Sequence, residues 1–367
     1  MFPKEATFEM TKKENKIQPS TEETQDDLFT KLNIADFIAG RELQKMVSQP
    51  AQQALQFDLY IRLSASKFVK IAHQGHDLPI DQITSYLKKG IQFVWMKKED
   101  FKKYLGFNIG LSQAVEKNSK VSKEKQMVLL KHTSEVVLTY LHSNEINEET
   151  FEAAKTVVES AAETLSDYEE AYDLITDLNN HTDYLYAQSV AVSFYGALNA
   201  RQLKWNSSVT IMKITMAGLL HDIGKKEIDR AVLEKPRYQL TSTEIKLIET
   251  HPARGMEILA KIPAIPSEIL QIVIQHHENC LGQGYPVGLK KSQIHPLARL
   301  IAVADTFATL VIKSPDSPGM KPKEAFHQML KLNLDTLDPG FLVPLMGIFK
   351  YEIPQNIANK MKVLKAA

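Results

Sequence analysis

An imidazole and a carboxylate stand side by side in Leu219-Leu220-His221-Asp222-Ile223-Gly224-Lys225, at the end of an apolar segment. His251, the pair His276-His277 and Asp305 follow, each within or beside an apolar run. Neutral imidazole nitrogens and carboxylate oxygens together suit borderline first-row metals such as iron, manganese or zinc. A carboxylate has two oxygens and so can bridge two such ions. Burying this many ionisable groups without a compensating partner is costly, and a metal centre is the simplest way to offset that cost. With His181 added, seven residues make up the expected ligand set: His181, His221, Asp222, His251, His276, His277 and Asp305.

A single histidine on a helix is more often a structural or solvent-facing residue than a ligand. The contiguous His-Asp and His-His pairs change that balance, because neighbours on a helix point different ways. A surface tract gains little from pairing histidines just after Ile272-Val273-Ile274. His73, His76, His132, His142, His295 and His327 sit in no cluster of ligand types and are read as structural. Cys280 lies close to His277, but the other donors are hard or borderline, and a loop cysteine is more simply incidental.

These side chains need a scaffold, and the 367-residue chain is long enough for two domains. Residues 1–27 are polar, with too few large apolar groups to offset ordering entropy, and are expected to be a disordered tail. Residues 28–111 read as a small α+β domain with a regulatory or interaction role. Phe57 to Leu63 and Phe68 to Ile71 alternate as strands, and Ile91 to Trp95 is a third. Asp81 is expected to cap a short helix closed by Gly90, and Asp100 to Leu105 to form another, with the module ending near Gly110. Residues 112–150 read as a helical connector whose lysine-rich part, Lys117 to Lys131, is a solvated link. From 151 to 367, helix follows helix, including one over Tyr168 to Leu178, with breaks at Pro236, Pro263, Pro286 and Pro318. The expected fold is therefore a small N-terminal α+β domain followed by an all-α helical bundle.

Lysine and arginine balance aspartate and glutamate, for a formal net charge of +0. A chain built to coat a nucleic-acid polymer would show a basic stripe, so no nucleic-acid polymer is expected as a partner. The balance leaves room for a small anionic ligand, because bound metal ions supply positive charge locally. One cysteine rules out an intramolecular disulfide. The polar N-terminus reads as neither a signal peptide nor a membrane span, so a cytoplasmic protein is expected.

His221-Asp222-Ile223-Gly224-Lys225 resembles the signature of the HD superfamily of metal-dependent phosphohydrolases. The run His276-His277-Glu278-Asn279-Cys280-Leu281-Gly282-Gln283-Gly284-Tyr285-Pro286 is similar to the extended motif of its HD-GYP branch. Leu233 to Pro236, Leu240-Thr241, Glu244, His251-Pro252, Gly255 and Leu289 agree with it, so the likeness runs from about His181 to Pro344. The resemblance implies a five-helix catalytic bundle and a bacterial signalling phosphodiesterase acting on cyclic di-GMP, releasing linear pGpG, GMP or both. It also implies two divalent ions, iron or manganese first and zinc as a further option. One ion would take His181, His221, Asp222 and Asp305. The other would take His251, His276 and His277, with Asp222 bridging. Asp177 stands where some members carry a third-metal glutamate, so two ions are expected. Two close ions activate a shared water to hydroxide near neutral pH and clamp phosphate oxygens. Lys225 is then expected to be catalytic, stabilising charge that builds on phosphorus. Glu278 is expected to hydrogen-bond a ligand imidazole, and Gly284, Tyr285 and Pro286 to shape a loop for substrate access and partner contacts.

The sequence departs from that pattern where the family grips its nucleotide. Ala308 replaces an aspartate, Ser314 an arginine, and Leu281 an aspartate of the loop; Lys313 stands nearby as a point charge. Three functions follow: a working cyclic di-GMP phosphodiesterase with weakened or altered binding, a non-catalytic cyclic-dinucleotide receptor or adaptor that keeps its metals, and a phosphohydrolase for another nucleotide. In the adaptor reading, another signalling protein docks on the GYP loop or the N-terminal domain.

Overall fold

Alternating apolar and polar residues make four strands, β1 (Phe29–Asn33), β2 (Leu59–Ser64), β3 (Lys67–Ala72) and β4 (Phe93–Lys97). They form one antiparallel sheet in the order β1-β4-β2-β3, with Phe29 opposite Lys97, Asn33 opposite Phe93 and Tyr60 opposite Trp95. The computed structural model describes residues 28–47, 54–64, 67–116, 121–143, 147–164, 172, 176, 184–355 and 357–359. Period-two alternation sends Thr30, Leu32, Val94 and Met96 into the core. The other face covers itself with rings: Phe29 stacks on Phe68 at 4.1 Å, Phe68 meets Trp95 edge-on at 5.3 Å, and the Arg62 guanidinium lies over Trp95.

Two elements of this region were not anticipated. β1 and the helix α1 (Ile34–Val47) lie where the sequence marked only a change of pattern at Leu28. The helix expected around Ile83 is present as α2 (Ile80–Lys88), but its N-cap is Pro79, and Asp81 sits inside the first turn rather than capping it. The helix expected over Asp100 to Leu105 runs instead as α3 from Lys98 to Glu116, across the expected boundary near residue 111. Gly106 and Gly110 each cost a helix roughly 1 kcal/mol. That is outweighed by the stripe Phe101, Tyr104, Leu105, Leu111 and Val115, all buried at helical spacing.

α4 (Lys123–Ser143) and α5 (Glu148–Thr164) complete this half. Within the expected solvated link, Lys117 to Lys131, Val121 and Leu129 are buried, and beyond it α4 buries Thr133, Val136, Val137 and Leu141 and packs on α3 and α5. His132 is buried, with Nε2 2.6 Å from the Tyr104 hydroxyl, as suits a structural histidine.

The remaining helices are α6 (Tyr184–Gln202), α7 (Ser208–Leu220), α8 (Arg230–Leu233), α9 (Ser242–Ile248), α10 (His251–Ala260), α11 (Ser267–Gln275), α12 (Pro296–Val311), α13 (Pro322–Leu332) and α14 (Pro339–Ile348). α6 is buried almost throughout, and its small residues Ala187, Ala191, Ser193, Gly196 and Ala200 let α7, α12 and α14 close around it. The four prolines expected as breaks all fall between helices, while Pro252, Pro296, Pro322 and Pro339 open helices, where a missing amide costs nothing. One apolar core runs unbroken from Leu32 in the sheet to Phe349 after α14. Most of the expected helix from Tyr168 to Leu178, and His181 with it, lies outside the described residues.

Candidate metal centre

Helix ends deliver most of the expected ligands to one point. His221 caps the C-terminus of α7, His276 caps that of α11 with His277 following, and His251 is the first residue of α10. Asp222 begins a 3-10 turn over Ile223–Glu227, and Asp305 lies within α12. His221, His251 and His276 share one local device. Each Nδ1 donates to the carbonyl three residues earlier: His221 to Gly218 at 2.8 Å, His251 to Ile248 at 2.7 Å and His276 to Val273 at 2.6 Å. Carbonyls at the end of a helix lack intrahelical partners and are free to accept. Because a carbonyl only accepts, each Nδ1 must carry the proton, which leaves each Nε2 with a lone pair in the neutral ring.

Those Nε2 atoms surround Asp222. Oδ1 lies 3.0 Å from His251 and 4.0 Å from His276, while Oδ2 lies 3.3 Å from His221. Asp305 Oδ1 stands 3.5 Å from His221 Nε2, on the Oδ2 side. Ligand atoms from Asp222, His251, His276 and His277 all lie within 4.8 Å of one another. The two oxygens of Asp222 thus face two different histidine groups, as a bridging carboxylate requires.

The donor chemistry fits a cation. His221 Nε2 and Asp222 Oδ1 are buried without a hydrogen-bond partner, an arrangement costing roughly 1–3 kcal/mol per group unless something compensates. The Nε2 atoms of His251 and His276 approach to 3.2 Å, so two lone pairs confront each other unless a cation or proton lies between. Burial and the neighbouring imidazoles hold His276 well below the usual histidine range and take His277 down to about 3. Burial opposes ionisation of the carboxylates, but His221 and Lys225 hold Asp222 far below the ordinary range, and His221 brings Asp305 to about 2. Burial likewise opposes charging of His221, yet Asp222 and Asp305 raise it to about 10. Deprotonated carboxylates beside neutral imidazoles such as His276 and His277 are the state in which such side chains bind metal, and His221 would reach it by giving up its Nε2 proton to a cation that replaces that charge.

Close backbone approaches explain the glycines of the signature. A Cβ on Gly224 would lie 2.1 Å from the His251 carbonyl oxygen, so only glycine lets the turn after Asp222 meet the start of α10. A Cβ on Gly284 would lie 2.4 Å from the His277 carbonyl oxygen, so the loop can fold back onto the histidine pair. Tyr285, joined to Pro286 by a cis peptide bond, then lays its ring 4.7 Å from that of His277.

Glu278 requires a correction. Its buried carboxylate bonds no imidazole; it accepts the backbone N–H groups of Val287, Gly288 and Leu289 at 2.8–3.1 Å. Peptide planes after a tight turn offer several convergent donors, and a carboxylate satisfies them better than one ring nitrogen would. Lys225 is not free in the cleft either, since its Nζ donates to Asp222 Oδ2 at 2.6 Å. Gln188 escaped the sequence reading altogether: its amide donates to Asp305 Oδ1 at 2.7 Å and to Thr309 Oγ1 at 3.1 Å. Its position on the buried helix α6 was the one available signal. His295 caps α12 and His73 packs near His76, away from the cluster.

A cleft opens over these donors, bordered by Tyr184, Lys235, Arg237, Tyr285, Ser314 and Asp316 among others. Of the family's replaced positions, Ser314 borders the cleft, Ala308 is fully buried in the core, and Leu281 is exposed on the loop. Lys313 is not among the bordering residues.

Residues 172–340 match the HD domain family model. A cyclic di-GMP phosphodiesterase of Pseudomonas aeruginosa is 35% identical over 156 residues, 42% of this chain and 37% of that protein. A 3'3'-cGAMP-specific phosphodiesterase of Vibrio cholerae is 33% identical over 157 residues, 42% of this chain and 33% of that protein. The chain thus spans little more than a third of the length of these relatives. The fold resembles that of an HDG"Y"P protein from Bdellovibrio bacteriovorus, with a TM-score of 0.64 at 16% identity, over 88% of this chain and 99% of that one.

Proposed function

We propose that this chain is a metal-dependent phosphodiesterase that opens cyclic di-GMP, or a closely related cyclic dinucleotide, to the linear dinucleotide or mononucleotides. The observation that carries the reading is the buried Asp222 carboxylate, whose two oxygens face His251 and His276 on one side and His221 on the other. In this reading His251, His276 and His277 with Asp222 hold one divalent ion; His221, Asp222, Asp305 and His181 hold a second. Iron or manganese suits this mixture of nitrogen and oxygen donors. Ions held there supply Lewis-acid activation of water and of the phosphoryl oxygens.

The chain's own residues prepare the rest. Lys225 keeps Asp222 ionised and oriented through its 2.6 Å hydrogen bond, and its charge lies beside the reacting phosphate. Gln188 fixes the rotamer of Asp305. Tyr285 walls the His277 side, and burial pushes its phenol up, so it stays a neutral donor. Relatives named for cyclic di-GMP and for 3'3'-cGAMP support the substrate class. No helix among the described residues is long and apolar enough to cross a membrane, in keeping with a cytoplasmic signalling enzyme.

A second reading, a receptor that binds without cleaving, draws on the exposed apolar side chains Leu281 and Val287 of the loop, a surface suited to a protein partner. One experiment separates the two. Protein loaded with ferrous or manganous ion is incubated with cyclic di-GMP, and products are resolved by chromatography. The proposal expects linear or mononucleotide product, and loss of more than about a hundredfold in rate for Asp222→Ala, beyond what removing a ligand's supporting contact costs. Saturable binding without product selects the receptor, and turnover of other phosphoesters alone selects a different substrate.

A further inference from the structure

We infer that Arg237 is the phosphate-gripping residue of the cleft, holding the phosphate of a cyclic dinucleotide that is not being cleaved. The inference rests on the phosphodiesterase reading and adds a residue to it.

A substrate with two phosphodiesters brings two negative charges into a cleft whose floor already carries Asp222 and Asp305. One charge is met at the donor cluster. The other needs a cation of the chain. Among the described residues, three cationic side chains border the cleft, Lys225, Lys235 and Arg237. Lys225 is committed to Asp222. Lys235 is committed to Glu244, its Nζ 2.5 Å from Oε1. Arg237 stands apart: among the described residues its guanidinium forms no ion pair, and its backbone N–H is instead held by Asp316 Oδ1.

That anchor makes Arg237 more than a stray surface charge. Asp316 belongs to the turn after α12, where Ser314 and Ser317 pair across an isolated bridge. Arg237 opens the short 3-10 turn Arg237–Gln239 that follows Pro236. The hydrogen bond ties these two segments together where they border the cleft, and Arg237 itself is exposed there. It borders the same cleft as His251, His277, Tyr285 and Asp305. Tyr285 in turn packs on His277. A guanidinium there offers planar, paired donors that match two oxygens of one phosphate.

The test compares two substrates of the full-length metal-loaded protein: cyclic di-GMP, with two phosphates, and bis(p-nitrophenyl) phosphate, with one. Arg237→Ala is expected to raise KM for cyclic di-GMP on the order of ten- to a hundredfold. The loss on the one-phosphate diester should be at least about tenfold smaller, as follows for an interaction with the absent group. Arg237→Lys should recover part of the loss through its point charge. Asp316→Ala, which frees the anchor, should weaken cyclic di-GMP in the same direction. Metal content and melting temperature show that each variant is folded and loaded. If wild type binds without cleaving, the same contrast is read as Kd. Equal losses on both substrates, or none on either, overturn the Arg237 assignment while the functional reading stands. A wild type that neither cleaves nor binds cyclic di-GMP overturns both.

Discussion

His221, His251 and His276 solve one problem in one way: a carbonyl three residues back accepts a hydrogen bond from Nδ1–H, and Nε2 turns inward. This much was legible, because a His-Asp or His-His pair beside an apolar run has few other uses. Gln188 was not legible. An amide on a buried helix is unremarkable until Asp305, 117 positions away, is found 2.7 Å from it. Gln188→Ala should leave Asp305 without its donor and weaken divalent-metal affinity roughly ten- to a hundredfold. Calorimetric titration with manganous ion reads this directly, and unchanged affinity would show that Asp305 holds its place unaided. Glu278 was legible as a supporting carboxylate but was given the wrong partner. A carboxylate next to a histidine in sequence invites a contact with imidazole, whereas the nearest unsatisfied donors are peptide N–H groups nine to eleven residues on.

At the scale of elements, the cluster depends on where helices stop and how their connections fold back. The loop after His277 hangs on Glu278. Glu278→Ala should strand three part-buried amides and lower stability by roughly 1 kcal/mol, measured as a shift in denaturant midpoint; no shift would mean that the loop satisfies them otherwise. The start of α9 is fixed differently, by a capping box in which Thr241 and Glu244 exchange hydrogen bonds while Lys235 approaches the same carboxylate. The hydrogen bonds from Lys235 and Thr241 bring Glu244 from 4.5 down to about 2. A depressed folded pKa contributes stability above the unfolded carboxylate value and loses it as pH falls through the folded one. The melting-temperature gap between wild type and Glu244→Gln should therefore be widest near neutrality and shrink towards pH of about 2. A gap independent of pH would contradict the assignment. The helix α3 shows what local signals miss: Gly110 read as the end of the module, yet the buried stripe from Phe101 to Val115 carries the helix through it.

Across the whole molecule, the broad division into a small sheet-bearing region and a long helical one was visible in the change from period-two to helical spacing. The continuity between them was not. One apolar core passes from the sheet through Val136, Val137 and Leu141 of α4 and Phe151 and Val157 of α5 into the helices that carry the donors. Such long-range packing leaves no trace in local patterning, which is why Lys117 to Lys131 read as a solvated link although Val121 and Leu129 are buried. The scattered donors, spread from His221 to Asp305, are held together by this packing and have a single function only if a cation lies at their centre. Elemental analysis of the purified full-length protein, wild type against Asp222→Ala, asks that question most simply. The wild type is expected to hold about two equivalents of iron or manganese, and the variant less than half of that. Equal metal in both proteins, or none in a folded wild type after loading, would contradict it.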